Sequence, residues 1–156
     1  MTTTDETGQA WDFDKPECRQ KARRLVETQR PLLLIGSPMC TYFSVLRNWF
    51  GPKMHPEKLK KELQRARNHL AFMFDLYEIQ AKAGRYYLHE HPSGASSWNE
   101  PVVVDFIASQ PDVILTSSPM CAFGMRAQTR TGKVEDMAYK RTRWSLILPI
   151  SLGLSL

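Results

Sequence analysis

Short apolar segments alternate with longer helical patterns along most of this chain, and this alternation constrains the fold more than any other feature. Continuous apolar runs occur at 32–36 (LLLIG) and 112–117 (DVILTS), and 85–92 (RYYLHEHP) also has a strand pattern. Unbroken apolar runs are typical of strands buried on both faces, as in a parallel sheet. Because helical segments separate the runs, right-handed parallel crossovers are the default connection. The sequence therefore predicts an α/β fold with a Rossmann-like, three-layer, mostly parallel sheet, and functional loops at the carboxyl ends of its strands.

Local signals define three helices. Pro16 suits a first helical turn, where its missing N–H costs little. Gly84 is a natural C-cap for the longest helix, whose apolar residues recur about every 3.6 positions. Ser97 or Asn99 is the predicted N-cap of the last helix. The predicted helices cover 16–29, 57 to about 83, and 100–110.

The length of 156 residues predicts one main domain. We expect a disordered N-terminus over 1–10, an α/β domain over 11–144 and an apolar C-terminal tail over 145–156. After residue 120 the pattern predicts a short strand, a polar turn and a terminal strand, which together suggest an antiparallel edge pair.

Composition excludes several classes of protein. Hydrophobic residues make up 42% and charged residues 24%, which excludes a disordered tail or a collagen-like repeat. The polar N-terminus has no signal-peptide pattern, and the longest apolar stretch is shorter than the roughly 20 residues that a membrane span needs. The three cysteines are far apart, as expected for reduced thiols. We therefore expect an intracellular protein, cytoplasmic or nuclear, without a membrane partner; the oligomeric state is left open. The net charge of +5 permits a nucleic-acid partner but does not require one.

A cysteine loop follows the first predicted strand. Cys40 comes directly after Gly36, Ser37, Pro38 and Met39, at the place where parallel sheets bind ligands. If a helix begins after the loop, its dipole would favour the thiolate and make a nucleophile. The alternative is a small buried side chain. The tetrapeptide Ser-Pro-Met-Cys recurs at 118–121, and chance or similar turn geometry explains a repeat of this length.

This loop resembles the catalytic loop of DNA cytosine-5 methyltransferases, written G-G-P-P-C-Q-G-F-S in that family. The family also has a strand that ends in Glu-Asn-Val, and here the strand before Pro92 ends in His89-Glu90-His91. Near the end, Arg141 and Arg143 preserve the R-x-R part of the family's Q-x-R-x-R element. The loop residues that match the family are Gly36, Pro38, Cys40, Phe43 and Ser44.

The resemblance implies an enzyme that acts on DNA. Cys40 would attack a cytosine that has been flipped out of the duplex, Glu90 would hold and protonate it, and Arg141 or Arg143 would support the target. S-adenosylmethionine would give the methyl group. The predicted cofactor contacts are Asp12, Asp14, Ser37 and Pro38, although the two aspartates also suit a turn or a helix cap.

The chain also departs from the family pattern. A glycine-rich cofactor turn does not precede Trp11, and a target-recognition domain is missing, so we expect a truncated enzyme. Similar methyltransferase-like segments occur in retroelement polyproteins, where they are often degenerate. The alternative function is thus a catalytically inactive, mobile-element-derived module that binds nucleic acid or has a structural role. A zinc site from His89, His91, Cys40 and Cys121 is a further alternative, but its ligand spacing matches no recognised pattern, and no metal is predicted.

Overall fold

The computed structural model describes Thr4 and residues 7–44, 54–128, 135–137 and 140–147. Helices and strands alternate through the first two thirds of this part, as the sequence predicted. In chain order the elements are α1 (Pro16–Gln29), β1 (Leu33–Gly36), α2 (Pro56–Lys82), β2 (Tyr86–Pro92), α3 (Pro101–Ser109), β3 (Val113–Pro119), β4 (Arg126–Gln128), β5 (Glu135–Met137) and β6 (Arg141–Ile147). Single 3₁₀ turns lie at Ser96–Asn99 and Met120–Phe123.

The helix ends agree closely with their local signals. Helix α1 spans the predicted residues and closes at Arg30, which is left-handed with φ 48° and donates its N–H to the Val26 carbonyl. Gly84 has φ 65°, a conformation that glycine adopts without steric cost. The predicted cap of α3 was wrong. Glu100 is its N-cap without a side-chain bond, and Ser97 lies inside a 3₁₀ turn.

The main sheet is mixed, which corrects the expected doubly wound, mostly parallel arrangement. Its strand order is β1-β2-β6-β3. Strands β1 and β2 are parallel neighbours, whereas β6 runs antiparallel to both β2 and β3. The α/β class is confirmed, with a four-stranded main sheet and three α-helices in the described part of the chain, but the structure does not establish a Rossmann-like topology.

Strand β6 lies in the middle of the sheet, so the expected edge position of the terminal strand was wrong. It lies between β2 and β3, which run in the same direction, and pairs with both of them. Thr142, Ser145 and Ile147 of this strand are buried. The separate antiparallel pair is formed by β4 and β5. Strand β6 also continues to Ile147, three residues beyond the boundary predicted between domain and tail.

One face of the sheet holds the core. Tyr77 of α2 stacks on Tyr87 with ring centroids 4.7 Å apart, and Phe106 of α3 packs on the same tyrosine at 5.5 Å. Helix α1 packs against α2. On the opposite face Leu33 and Ile35 remain 47% and 61% exposed. The described helices therefore cover one face of the sheet, and the predicted third layer is not seen among the described residues.

The chain ends were predicted to be a disordered segment and an apolar tail. Thr4 and Ala10 form an isolated antiparallel bridge. The tail after Ile147 lies outside the described residues. Where the structure describes the chain, none of its helices combines the length and the apolar character needed to cross a membrane.

Candidate functional site

The cysteine loop and the Glu90 strand meet at one edge of the sheet. Strands β1 and β2 are adjacent and parallel, and Gly36 is paired with His89 in their register. The next residues, Ser37 and Glu90, lie side by side, and the Ser37 hydroxyl donates a hydrogen bond of 2.5 Å to Glu90 Oε2. The two elements that the resemblance singled out are thus in direct contact.

Cys40 lies in a short turn of this loop. Its thiol is free and partly exposed. Its carbonyl accepts the N–H groups of Phe43 and Ser44, both at 2.9 Å. Phe43 is 3% exposed and anchors the turn in the core, and its carbonyl accepts the N–H of Ser96 at 2.8 Å. The expected helix after the loop falls beyond Ser44, outside the described residues, so its effect on the thiol stays a prediction.

Lys140 is a cation that contacts Glu90. Its Nζ lies 3.5 Å from Glu90 Oε1, and the glutamate side chain is 15% exposed whereas that of Lys140 is 43% exposed. From the amino-acid sequence alone, this lysine could not be distinguished from a solvated basic surface. Its contact depends on β6 lying beside β2, and the position of β6 in the sheet was not predicted.

The two predicted arginines are not brought to Glu90. Glu90 is paired with Trp144 in the β2–β6 register, whereas Arg143 is paired with His91. Because successive strand residues face opposite sides, Arg143 lies on the other face of the sheet from Glu90. Its guanidinium lies over the Trp98 ring, 5.3 Å from the centroid. Arg141 is exposed at the same edge, and its carbonyl accepts the Ser93 N–H.

The two histidines beside Glu90 point into the core. His89 Nδ1 lies 3.1 Å from the Tyr77 hydroxyl. Burial lowers the pKa of His89 to about 3, and it also lowers the pKa of His91. Burial likewise raises the pKa of Tyr77. All three groups are therefore neutral near pH 7, as buried side chains with internal partners usually are.

The zinc arrangement considered above does not form in the described part of the chain. Cys40 follows β1 and Cys121 follows β3, and these strands are the two opposite edges of the main sheet rather than neighbours. Within the described ranges, no three His, Cys, Asp or Glu side chains converge in a way that would hold a metal ion.

The four residues predicted to bind S-adenosylmethionine have internal partners. Asp14 accepts hydrogen bonds from Arg65 and His69 of α2, each at 2.8 Å, and the bonded Arg65 guanidinium holds the pKa of that carboxyl below its usual value. Asp12 accepts the backbone N–H of Asp14, which closes a turn before α1. The Asp12 side chain therefore takes part in a turn, whereas the Asp14 carboxylate connects this turn to α2.

Ser37 and Pro38 are engaged within the loop itself. The Ser37 hydroxyl is bonded to Glu90, and the Pro38 carbonyl oxygen lies 3.0 Å from His91 Nε2. These contacts hold the loop against β2. Together with the contacts of the two aspartates, they give each of the four predicted cofactor residues a partner within the chain, and S-adenosylmethionine binding stays a prediction.

The second Ser-Pro-Met-Cys loop has different neighbours. The Ser118 hydroxyl accepts the indole N–H of Trp144 at 2.9 Å, and the Met120 N–H donates to the Lys140 carbonyl at 2.8 Å. Cys121 lies in a 3₁₀ turn. This loop has the same sequence as the first but contacts an indole where the first contacts a carboxylate.

Comparison with known proteins adds no further constraint. No protein-family model matches the sequence, and neither curated proteins nor solved structures give a match.

Proposed function

We propose that the Cys40 loop and Glu90 form a site for nucleophilic addition to a pyrimidine base, as in DNA cytosine-5 methyltransferases. The observation that carries this proposal is the hydrogen bond between Ser37 and Glu90, which places the cysteine loop beside a carboxyl group. The motif resemblance and the partial exposure of the Cys40 thiol also support it.

The proposed chemistry uses the thiol and the carboxyl on one ring. The Cys40 thiolate sulfur forms a bond to C6 of cytosine, and the electrons of the C5–C6 double bond move through C4 onto N3. The Glu90 carboxylate takes up the proton that the Cys40 thiol releases and passes it to N3, so the adduct is neutral and the glutamate is again a carboxylate. Lys140, 3.5 Å away, then stabilises that negative charge. The base has to leave the helical stack to reach this edge of the sheet.

The methyl-transfer step is not part of this proposal. S-adenosylmethionine would supply an electrophilic methyl group to C5 if it were bound. The side chains expected to bind it, those of Asp12, Asp14 and Ser37, are engaged with other groups of the chain. We therefore assign to the described residues only the binding and activation of the pyrimidine.

A trapping experiment tests the covalent step without a cofactor. DNA that contains 2-pyrimidinone in place of one cytosine lacks the 4-amino group, so its ring accepts a thiolate more readily. We expect wild-type protein to form an adduct with this DNA, detected by denaturing gel and intact mass and located by peptide mapping at Cys40. The E90Q variant should react slower by about 100-fold or more, because its amide cannot give a proton.

The repeated loop supplies a matched control. C40S should abolish the adduct, whereas C121S should leave the rate of adduct formation unchanged. C121S is a matched control because the two cysteines share the same local sequence. An adduct at Cys121, or one that survives in C40S, would contradict the proposal, and so would the absence of any adduct in the wild-type protein.

The alternative function is a non-catalytic module that binds nucleic acid. The observation that favours it is the engagement of the predicted cofactor residues in internal contacts. This alternative predicts that wild type and C40S bind DNA equally in a fluorescence anisotropy titration, and that neither forms the adduct.

A further inference from the structure

The ring of His91 lies directly beneath the Cys40 loop and contacts it on both sides of the cysteine. His91 is fully buried. Its Nε2 lies 3.0 Å from the Pro38 carbonyl oxygen, two residues before Cys40. Its ring centroid lies 6.1 Å from that of Phe43, three residues after Cys40. The histidine therefore contacts the backbone at one end of the turn and the anchoring side chain at the other.

The hydrogen bonds of His91 define its protonation state. A carbonyl oxygen can only accept a hydrogen bond, so Nε2 carries the proton and donates a hydrogen bond to the Pro38 carbonyl. Burial keeps the pKa of His91 below its ordinary value, so the ring is neutral and Nδ1 has a lone pair. Nδ1 lies 2.5 Å from the Ser97 hydroxyl, which therefore donates to it. Ser97 thus favours the tautomer whose Nε2–H donates to the Pro38 carbonyl.

The same segment holds the far end of the loop. The N–H of Ser96 donates to the Phe43 carbonyl at 2.8 Å, directly before the serine that bonds His91. The indole N–H of Trp98 donates to the Pro92 carbonyl at 2.9 Å, which keeps the segment close to the end of β2. Residues 92–98 are therefore bonded to both the loop and the end of β2, and His91 connects this segment to the backbone before Cys40.

We propose that His91 is a positioning residue that, oriented by Ser97, fixes the Pro38 backbone and so places the Cys40 sulfur relative to Glu90. The inference rests on the proposed function, because it assigns to His91 a role in the addition step. His91 acts through the loop and does not touch the pyrimidine. Its neighbour Glu90 faces the base, while His91 faces the core, because adjacent strand residues point to opposite sides.

Two substitutions of His91 separate positioning from simple packing. H91L fills a similar space but cannot donate to Pro38, whereas H91Q places an amide N–H at about the reach of Nε2. We expect H91L to slow adduct formation with 2-pyrimidinone DNA by about 10- to 100-fold, since small displacements of a reacting group have effects of this size. H91Q should stay within about threefold of wild type by the same argument. S97A, which loses the orienting hydroxyl, should fall between them.

A second readout does not depend on the pyrimidine reaction. The rate of alkylation of Cys40 by iodoacetamide, measured by peptide mass spectrometry relative to Cys121, reports the placement of the thiol. We expect H91L and S97A to change the ratio of the two alkylation rates, and H91Q to keep it close to the wild-type value. S97A and H91Q also test the inference if H91L does not fold.

The outcomes distinguish the two proposals. If wild type forms the adduct at Cys40 but H91L and S97A react at the wild-type rate, the inference about His91 is wrong and the proposed function stands. If wild type forms no adduct but the alkylation ratio changes in H91L and returns in H91Q, His91 positions the loop and the proposed function is wrong. Equal losses in H91L and H91Q would show a packing role and overturn the inference.

Discussion

Two loops of identical sequence follow two strands of the same sheet, yet they have different surroundings. In the first, Ser37 donates a hydrogen bond to the Glu90 carboxylate. In the second, Ser118 accepts one from the indole of Trp144. Cys40 is followed by a turn whose amides bond its own carbonyl, whereas Cys121 lies within a 3₁₀ turn.

The difference comes from the neighbouring strand rather than from the tetrapeptide. Strand β1 is beside parallel β2, and parallel strands end at the same edge, so the Cys40 loop meets Glu90. Strand β3 is beside antiparallel β6, which begins at that edge and places Trp144 against Ser118. A short motif is therefore a candidate site only when the adjacent strand supplies its chemical partner.

The largest difference in stability between the two loops should appear when the residue that precedes each loop is replaced. A Cβ atom at Gly36 would overlap the Tyr77 hydroxyl and the terminal methyl of Met73, both on α2. G36A should lower the free energy of unfolding by about 1–3 kcal/mol, because overpacking displaces the helix. Ser117 holds the corresponding position before the second loop and is exposed, so S117A should change stability by no more than about 0.5 kcal/mol.

Urea denaturation followed by circular dichroism measures this difference. Similar stabilities of G36A and S117A would show that α2 does not pack closely under the first loop.

A smaller difference should appear with pH, because buried histidines lie beneath the first loop. The pKa values of His89 and His91 are below the ordinary 6.5 in the folded protein. Below pH 6.5 the unfolded chain therefore binds protons that the folded chain does not. The contribution of these histidines to the free energy of unfolding is therefore greatest above pH 6.5. It falls as the pH drops towards the folded-state pKa, which is about 3 for His89. Well below pH 6.5 the slope approaches about 1.4 kcal/mol per pH unit for each histidine that is protonated in the unfolded chain and neutral in the folded chain.

Denaturation between pH 7 and pH 5 tests this slope. H91Q should reduce this slope by about the share of one histidine. A slope that is the same in wild type and H91Q would contradict a neutral, buried His91.

The smallest difference in stability should appear between substitutions of the two loop serines, Ser37 and Ser118. S118A leaves the half-buried Trp144 indole N–H without its acceptor and should cost about 0.5–1.5 kcal/mol. Ser37 is exposed, so S37A should change stability by no more than about 0.5 kcal/mol but should slow adduct formation at Cys40. Unfolding curves and adduct rates of both variants measure the two effects. An S37A protein that reacts at the wild-type rate would show that the contact with Glu90 is not needed for the addition.

Local signals were sufficient for the helices and for the first part of the site. Pro16 marks the beginning of α1 because its missing N–H costs little in the first helical turn. The contact between the Cys40 loop and Glu90 follows from two successive strands joined by a crossover helix, which is a local connection. The placement of β6 beside β2 depends on pairing between residues 50 to 60 positions apart, and no local pattern specifies it.

The sequence by itself determined the three helices, the α/β class and the loop that carries Cys40, because periodicity, turn residues and helix ends act over a few neighbouring positions. The tertiary structure decided that the sheet is mixed, that Lys140 rather than Arg141 or Arg143 meets Glu90, and that His91 supports the loop. Each of these depends on which strand lies next to β2 and in what register. A shift of one residue in that register would place the opposite set of β6 side chains on the Glu90 face.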